Sequence, residues 1–175
     1  MRSAFSSDHP FSSRTQLYSC LEPYAVDGLV VDYRCFGTSS IAPGTYFSGY
    51  DKGRTATHEV GHCFGLLHIW GDGTGDELSN TPDCTATDYC ADTPQAGWEH
   101  YDCGAFDTCP SVAGNDMPEN YMDYTPDSCM NIFTLNQIDS TFYDILRQNL
   151  HTEEQDWVAN LFLYFMMNEY GSVLY

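Results

Sequence analysis

The stretch THEVGHCFGLLHIWGD, at residues 57–72, constrains the fold of this 175-residue chain more than any other. His58 and His62 are four residues apart, so on a helix both imidazoles project from one face and can bind one ion. Gly65 allows a sharp turn, after which His68 can return as a third ligand. The spacing therefore predicts a helix and a turn built around a three-histidine metal site.

The donor set of this site indicates catalysis. Three neutral imidazoles leave one zinc position open, whereas structural zinc sites are closed by a fourth protein ligand. Glu59 lies beside the first histidine, where it can take a proton from a zinc-activated water. The pattern predicts amide hydrolysis with one zinc ion and Glu59 as general base. A plain amphipathic helix with surface histidines explains neither Gly65 nor the third histidine.

The charge balance excludes several classes of partner. The chain has 25 acidic and 6 basic residues, a formal charge of −19, with no Lys or Arg between Arg54 and Arg147. Such a chain is repelled by phosphate backbones and anionic lipid, so we expect neither nucleic-acid nor membrane partners. The carboxylates must be solvated, protonated or neutralised by cations, and Ca²⁺ is the natural cation for oxygen ligands.

Length and composition predict one domain, since 175 residues leave little room for a second unit and 42% apolar residues suffice for one core. The domain is expected at residues 17–150, after a flexible lead at 1–16 and before a C-terminal tail at 151–175 with a second helical segment. Four elements are predicted within it: a strand at 28–35, a helix at 55–67 with Thr55 as N-cap, an irregular stretch at 71–127 and a helix at 133–150.

Eight cysteines without any C-x-x-C pair indicate disulfides formed in an oxidising compartment. Their spacing alone leaves 105 connectivities open. We therefore expect an extracellular protein. Residues 1–13 show no apolar signal segment, so either the start is processed or truncated, or export is unconventional.

Three motifs together carry a family resemblance: HEVGH..G..HIWGD, then ADTPQ, then NYMDYTPDSCM..FT..Q. They resemble the metzincin metallopeptidases, and more narrowly the pappalysin (cytophagalysin) family, over residues 24–147. The resemblance implies a metzincin-like α+β fold with an active-site helix and an irregular, disulfide-stapled C-terminal subdomain ending in a helix. Few residues precede the active-site helix, so the N-terminal sheet is expected to be incomplete.

The resemblance also assigns roles to residues around the zinc site. His58, His62 and His68 would be the zinc ligands, and Glu59 the general base and later proton donor to the leaving amine. Three more residues follow from the third motif: Met122 as an apolar floor under the zinc, Tyr124 as hydrogen-bond donor to the oxyanion, and Asp127 at the base of an S1′ pocket that favours Arg or Lys.

A structural calcium site and two disulfides are implied in the same way. The calcium ligands would be Glu77, Asp88 and Thr93, with solvated loop acids as the alternative. The disulfides would be Cys84–Cys109 and Cys103–Cys129. The other four cysteines depart from the family, and they either pair as Cys63–Cys90 and Cys20–Cys35 or remain buried free thiols.

Two functions from different classes remain open at this point. The first is a secreted zinc endopeptidase acting on protein or peptide substrates. The second is a truncated, non-catalytic remnant that binds zinc and calcium and acts as an interaction domain. The presence of every residue needed for the chemistry favours the enzyme, and the incomplete sheet favours the remnant. An acidic calcium buffer does not explain Glu59 between two zinc-spaced histidines.

Overall fold

The computed structural model describes residues 31–41, 44–71 and 73–141. Its helices are a one-turn 3-10 helix at Tyr33–Cys35, α1 at Arg54–Cys63, and α2 from residue 135 to at least residue 141. No helix in these ranges is long and apolar enough to cross a membrane. The predicted lead, the first residues of the predicted strand, the end of the last helix and the tail at 151–175 lie outside the described residues.

Pairing between extended segments is sparse. Within the described ranges it consists of isolated bridges, two antiparallel and one parallel. The bridges are Thr38–Lys52, Asp76–Thr81 and Asn120–Ile132. Most of the described backbone is therefore held by means other than a sheet.

The strand predicted at 28–35 is wrong for its last three residues, which form the 3-10 helix Tyr33–Cys35. Asp32 caps this turn, because its Oδ1 accepts a hydrogen bond of 2.9 Å from the backbone N–H of Arg34. The same carboxylate pairs with the Arg34 guanidinium at 2.7 Å. A local side-chain cap thus overrides the β-branched pattern of the sequence.

Helix α1 begins one residue earlier than predicted, and Thr55 is not its cap. The N-cap is Gly53, whose φ of 79° lies in the left-handed region. As a glycine it has no side chain that could accept a capping hydrogen bond. A distant carboxylate serves instead: Asp127 Oδ2 accepts from the N–H groups of Lys52 at 2.7 Å and Arg54 at 3.3 Å. This carboxylate satisfies backbone donors at the positive end of the helix.

The helix ends at Cys63, four residues before the predicted end, in a Schellman motif centred on Gly65. The N–H of Gly65 donates to His62 O at 2.9 Å, and the N–H of Leu66 donates to Gly61 O at 3.0 Å. Gly65 has a φ of 83°, which a residue with a side chain adopts only at a cost. The predicted sharp turn at this glycine is confirmed.

Both implied disulfides are confirmed, Cys84–Cys109 and Cys103–Cys129. They close overlapping loops of 25 and 26 residues. The loops lie almost wholly within the stretch 73–127, which has neither a helix nor a strand and takes part in two isolated bridges. Loops of this length restrict the unfolded chain enough to stabilise the fold by about 3 kcal/mol each. The covalent links replace the regular structure that this stretch lacks.

The suggested pairs Cys63–Cys90 and Cys20–Cys35 are wrong. Cys35 and Cys90 are buried free thiols, and burial raises the pKa of each to about 11, so both stay protonated. Cys63 is disulfide-bonded, with a partner outside the described residues.

The apolar core is formed mainly by the chain just after α1, at 66–70, and by the segment at 121–133, together with single residues from other parts of the chain. Its buried members are Cys35, Tyr50, Leu66, Ile69, Trp70, Ala96, Tyr121, Met122, Met130 and Phe133. Residues 120–124, here named the methionine turn, contribute two of the three largest side chains that are almost fully buried, Tyr121 and Met122. The core contacts the metal-binding helix through Met122, which packs against Gly61.

Helix α2 is joined to the methionine turn by polar side chains. Thr134 and Gln137 form a capping box, in which Gln137 N donates to Thr134 Oγ1 and Thr134 N donates to Gln137 Oε1. Asn120 exchanges two amide hydrogen bonds with Gln137, at 2.9 and 3.2 Å, and its Oδ1 accepts from Met122 N. Asn120 and Gln137 are fully buried, so this pairing fixes the turn relative to α2.

Candidate metal centre

Three histidine side chains converge at the end of α1. His62 Nε2 lies 2.9 Å from His58 Nε2 and 3.0 Å from His68 Nε2. Among the described His, Cys, Asp and Glu residues, these are the only three whose donor atoms all lie within 4.8 Å of one another. The Schellman turn brings the third histidine back to the first two, as the sequence spacing predicts.

Main-chain carbonyls set the tautomers of two of these rings. His58 Nδ1 lies 2.7 Å from Tyr121 O, and His62 Nδ1 lies 2.8 Å from Leu66 O. A carbonyl oxygen can only accept, so each Nδ1 carries the proton and each Nε2 lone pair points into the cluster. Such outer hydrogen bonds orient histidines for metal binding.

Stacking orients the third ring, and burial keeps the cluster neutral. His68 stacks on the Trp70 indole with ring centroids 4.4 Å apart and planes 5° apart. Burial, followed by the proximity of His62, lowers the pKa of His58 and of His68 well below the ordinary value. Neutral rings with converging Nε2 atoms fit zinc, which binds imidazole nitrogen in tetrahedral sites.

Glu59 lies on α1 directly after the first histidine, and only 8% of it is exposed. Burial raises the pKa of its carboxyl group to about 7. A cation held by the adjacent histidines would lower this pKa again, because it stabilises the carboxylate. A carboxyl group that exchanges a proton near neutral pH suits a general base.

Met122 lies against α1 at Gly61, a residue that stands between His58 and His62 in the sequence. Its side chain is fully buried, and a Cβ built on Gly61 would lie 2.5 Å from its Sδ. The O of Met122 accepts from Ile69 N at 3.3 Å, which joins the methionine turn to the chain after the third histidine. The structure therefore packs Met122 against the helix that carries the first two histidines and against the chain after the third.

Tyr124 packs on the rim of the cluster. Its ring centroid lies 4.8 Å from that of His68 and 5.6 Å from that of His58. Burial, followed by the negative charge of Glu59, raises its pKa, so the phenol remains a hydrogen-bond donor. Tyr50 donates a hydrogen bond of 3.0 Å to Tyr124 O and holds the backbone in place.

Asp127 is buried, with 3% exposure, behind the N-terminus of α1. One of its oxygens caps that helix, as described above, and the other, Oδ1, is buried with no hydrogen-bond partner among the described residues. Burial raises its pKa above the ordinary value. One oxygen of this carboxylate therefore caps the helix, and the other has no hydrogen-bond partner among the described residues.

Two of the three expected calcium ligands have unsatisfied oxygens. Asp88 Oδ2 and Thr93 Oγ1 are both buried with no hydrogen-bond partner in the described part of the chain. Burial raises the pKa of Asp88 to about 6. Glu77 differs, because it is exposed to solvent. Partial burial of its carboxyl group, followed by the negative charge of Glu99, raises its pKa. The geometry thus favours Asp88 and Thr93 over Glu77 as oxygen ligands.

Sequence patterns missed several residues that shape this site. Trp70 stands in the HIWGD motif but has no role in the spacing argument, and Tyr50 lies in a turn-rich segment. His100 lies in the irregular stretch, where no periodicity marks a buried position. Each acts through a contact between distant parts of the chain, which spacing along the sequence does not reveal.

Comparison with known proteins gives the chain its relatives. The sequence model of a peptidase family described as "Pregnancy-associated plasma protein-A" matches residues 42–145. An extracellular metalloprotease of Colletotrichum graminicola is 42% identical over 112 residues, 63% of this chain and 35% of the relative. One from Podospora anserina is 40% identical over 132 residues, 72% of this chain and 39% of the relative.

A solved structure matches as well. Mature mirolysin of Tannerella forsythia, in complex with a cleaved peptide, has 46% sequence identity and a TM-score of 0.55, covering 66% of this chain and 40% of that chain. The present chain spans between 35% and 40% of the length of these relatives.

Proposed function

The chain belongs to the pregnancy-associated plasma protein-A (pappalysin) family of metallopeptidases, and we propose on this premise that it hydrolyses internal peptide bonds with one catalytic zinc ion. Similarity to mirolysin shows a metzincin-like peptidase fold for the matched part.

Each residue of the site has a defined task in this mechanism. His58, His62 and His68, whose Nε2 atoms converge, would hold the zinc. Zinc, when bound, supplies a Lewis acid that activates water and polarises the carbonyl of the scissile bond. Glu59 takes the proton from the attacking water and returns it to the leaving amine. The Tyr124 phenol donates a hydrogen bond to the oxygen on which negative charge develops.

The convergence of three Nε2 atoms beside a buried carboxyl group carries this proposal. A quenched-peptide library tests it, with Glu59→Ala as the inactive variant and Glu119→Ala as a matched glutamate change outside the cluster. Cleavage by the wild type and by Glu119→Ala, but not by Glu59→Ala, is expected. Equal zinc content in all three proteins without Glu59-dependent cleavage would leave the non-catalytic remnant as the function.

For substrate preference, Asp127 would favour Arg or Lys at the residue after the scissile bond. Its buried, unpartnered Oδ1 supports this role. Asp127→Asn keeps a carbonyl oxygen for the helix cap but removes the charge, so it should lose the basic preference with little loss of melting temperature. Asp127→Ala should lose the basic preference and should also have a lower melting temperature. Unchanged cleavage sites in the Asn variant would limit Asp127 to capping.

A structural calcium ion would bind at Asp88 and Thr93, with Glu77 as the least supported ligand. The two buried oxygens without partners are the observation behind it. Removing calcium with EGTA at constant free zinc should lower the melting temperature of the wild type and of Asp92→Asn, an exposed neighbour used as control. Asp88→Asn should not respond. A wild-type protein indifferent to EGTA would contradict the site.

We place the protein outside the cell. The relatives named above are extracellular metalloproteases, and the two disulfides suit an oxidising compartment. Protein or peptide substrates follow from the peptidase family, and the cleaved peptide bound by mirolysin is consistent with them.

A further inference from the structure

A fully buried histidine outside the metal centre lies between two carboxylates. His100 Nδ1 is 2.6 Å from Asp123 Oδ2, and His100 Nε2 is 2.9 Å from Asp116 Oδ2. None of the three side chains is exposed to solvent. Both acceptors are carboxylates, so both ring nitrogens carry protons and His100 is an imidazolium. Burial opposes this charge, but the two hydrogen bonds raise the pKa of His100 to about 9.

Asp123 connects this histidine to the methionine turn. While its Oδ2 accepts from the His100 ring, its Oδ1 accepts from Tyr124 N at 2.8 Å and from His100 N at 3.0 Å. The carboxylate therefore holds the Tyr124 amide from one side. Tyr50 holds the Tyr124 carbonyl from the other.

The far side of His100 is anchored in the disulfide-stapled segment. Asp116 accepts from Thr108 Oγ1 at 2.6 Å, and Thr108 directly precedes the disulfide-bonded Cys109. Phe106 stacks on the His100 ring, with centroids 4.3 Å apart. The imidazolium thus cannot shift without breaking contacts on both of its edges and on its face.

We propose that His100 is a positioning residue: through Asp123 it holds the backbone of Tyr124, so that the phenol stays beside the zinc histidines. This inference rests on the proposed function, in which Tyr124 donates to the oxyanion. The irregular segment has no sheet or helix to orient this tyrosine, and the ionic hydrogen bonds of His100 do so instead.

Substituting His100 by Asn or by Gln distinguishes the hydrogen bond made by Nδ1 from the one made by Nε2. The amide of His100→Asn lies near the Nδ1 position and can still donate to Asp123, whereas that of His100→Gln lies near Nε2 and faces Asp116. We expect His100→Gln to lower kcat by about tenfold at nearly unchanged KM, and His100→Asn to stay within about threefold of wild type. If His100 were only structural, the fall in kcat of each variant would instead be proportional to its fall in melting temperature.

A double-variant cycle and amide exchange complete the test. If His100 acts through Tyr124, adding His100→Gln to Tyr124→Phe should lower kcat no further. Amide hydrogen exchange in the segment at 120–127 should accelerate in His100→Gln and not in His100→Asn, whether or not the protein cleaves peptides. Additive effects, or unchanged exchange in both variants, would overturn the positioning role. A wild type without Glu59-dependent cleavage would instead overturn the proposed function, and exchange would still decide whether His100 holds the Tyr124 amide.

Discussion

At the scale of single residues, the chemistry of the centre depends on groups that touch the ligands rather than on the ligands alone. Tyr121 O and Leu66 O each accept from an Nδ1 and so direct the Nε2 lone pairs of two histidines inward. Trp70 orients the third ring by stacking. The ligands could be predicted because their spacing lies within one helix and one turn. Their supports come from elsewhere in the chain and carry no local pattern.

Tyr124→Phe removes the phenol O–H and keeps the ring. We expect kcat to fall by about 10²-fold with KM little changed, because the hydrogen bond strengthens only as charge develops in the transition state. Tyr101→Phe is the matched control, since its ring lies 6.1 Å from that of Tyr124 and its hydroxyl donates to Glu99. Kinetics on one quenched peptide measure both. Equal losses in the two variants would contradict the assigned role.

At the scale of elements, the sequence predicted the type of each main helix better than its ends. The face of α1 and the glycine that stops it follow from local spacing. Its start does not, because the cap is Asp127, which lies 73 residues after Arg54. The strand prediction is wrong at residues 33–35, because the Asp32 cap outweighs the β propensity of this part of the segment.

Helix α1 and the methionine turn meet so closely that Gly61 has no room for a side chain. Gly61→Ala should destabilise the fold by about 1–3 kcal/mol, because the added methyl overlaps Met122 Sδ in a packed core. In a Met122→Ala background the same substitution should be neutral or stabilising by up to about 1 kcal/mol, as alanine favours helix. Urea unfolding of the four proteins measures the cycle. Destabilisation of equal size in both backgrounds would show that Met122 is not the obstacle.

At the scale of the whole molecule, the largely irregular backbone of the described residues is held by disulfides and by short acid-capped turns. Five of the 25 carboxylates behind the −19 charge accept from a backbone N–H two residues later. These are Asp32, Asp76, Asp83, Asp88 and Asp102. The charge was expected to serve ion binding and solvation, and the structure adds turn formation. Composition cannot distinguish these roles, since each depends on where a side chain points.

The buried imidazolium makes stability depend on pH. The folded pKa of His100 is about 9, above its ordinary 6.5, so its contribution is complete below pH 6.5 and is lost as the pH rises through 9. Asp116 and Asp123 face the ring, and the charge of Glu77 also acts on it. The free energy of unfolding of wild type minus that of His100→Gln should therefore shrink between pH 6.5 and 9.5. A constant difference in urea unfolding across this range would mean a neutral His100.

The central claim is that three histidine nitrogens of this chain hold one zinc ion with a position left open for chemistry. X-ray absorption at the zinc edge of the purified wild-type protein measures this most directly. We predict one zinc per chain with three imidazole nitrogens at about 2.0 Å and no sulfur ligand. A protein that holds no zinc, or a zinc with thiolate sulfur from the cysteines in its first shell, would contradict the account.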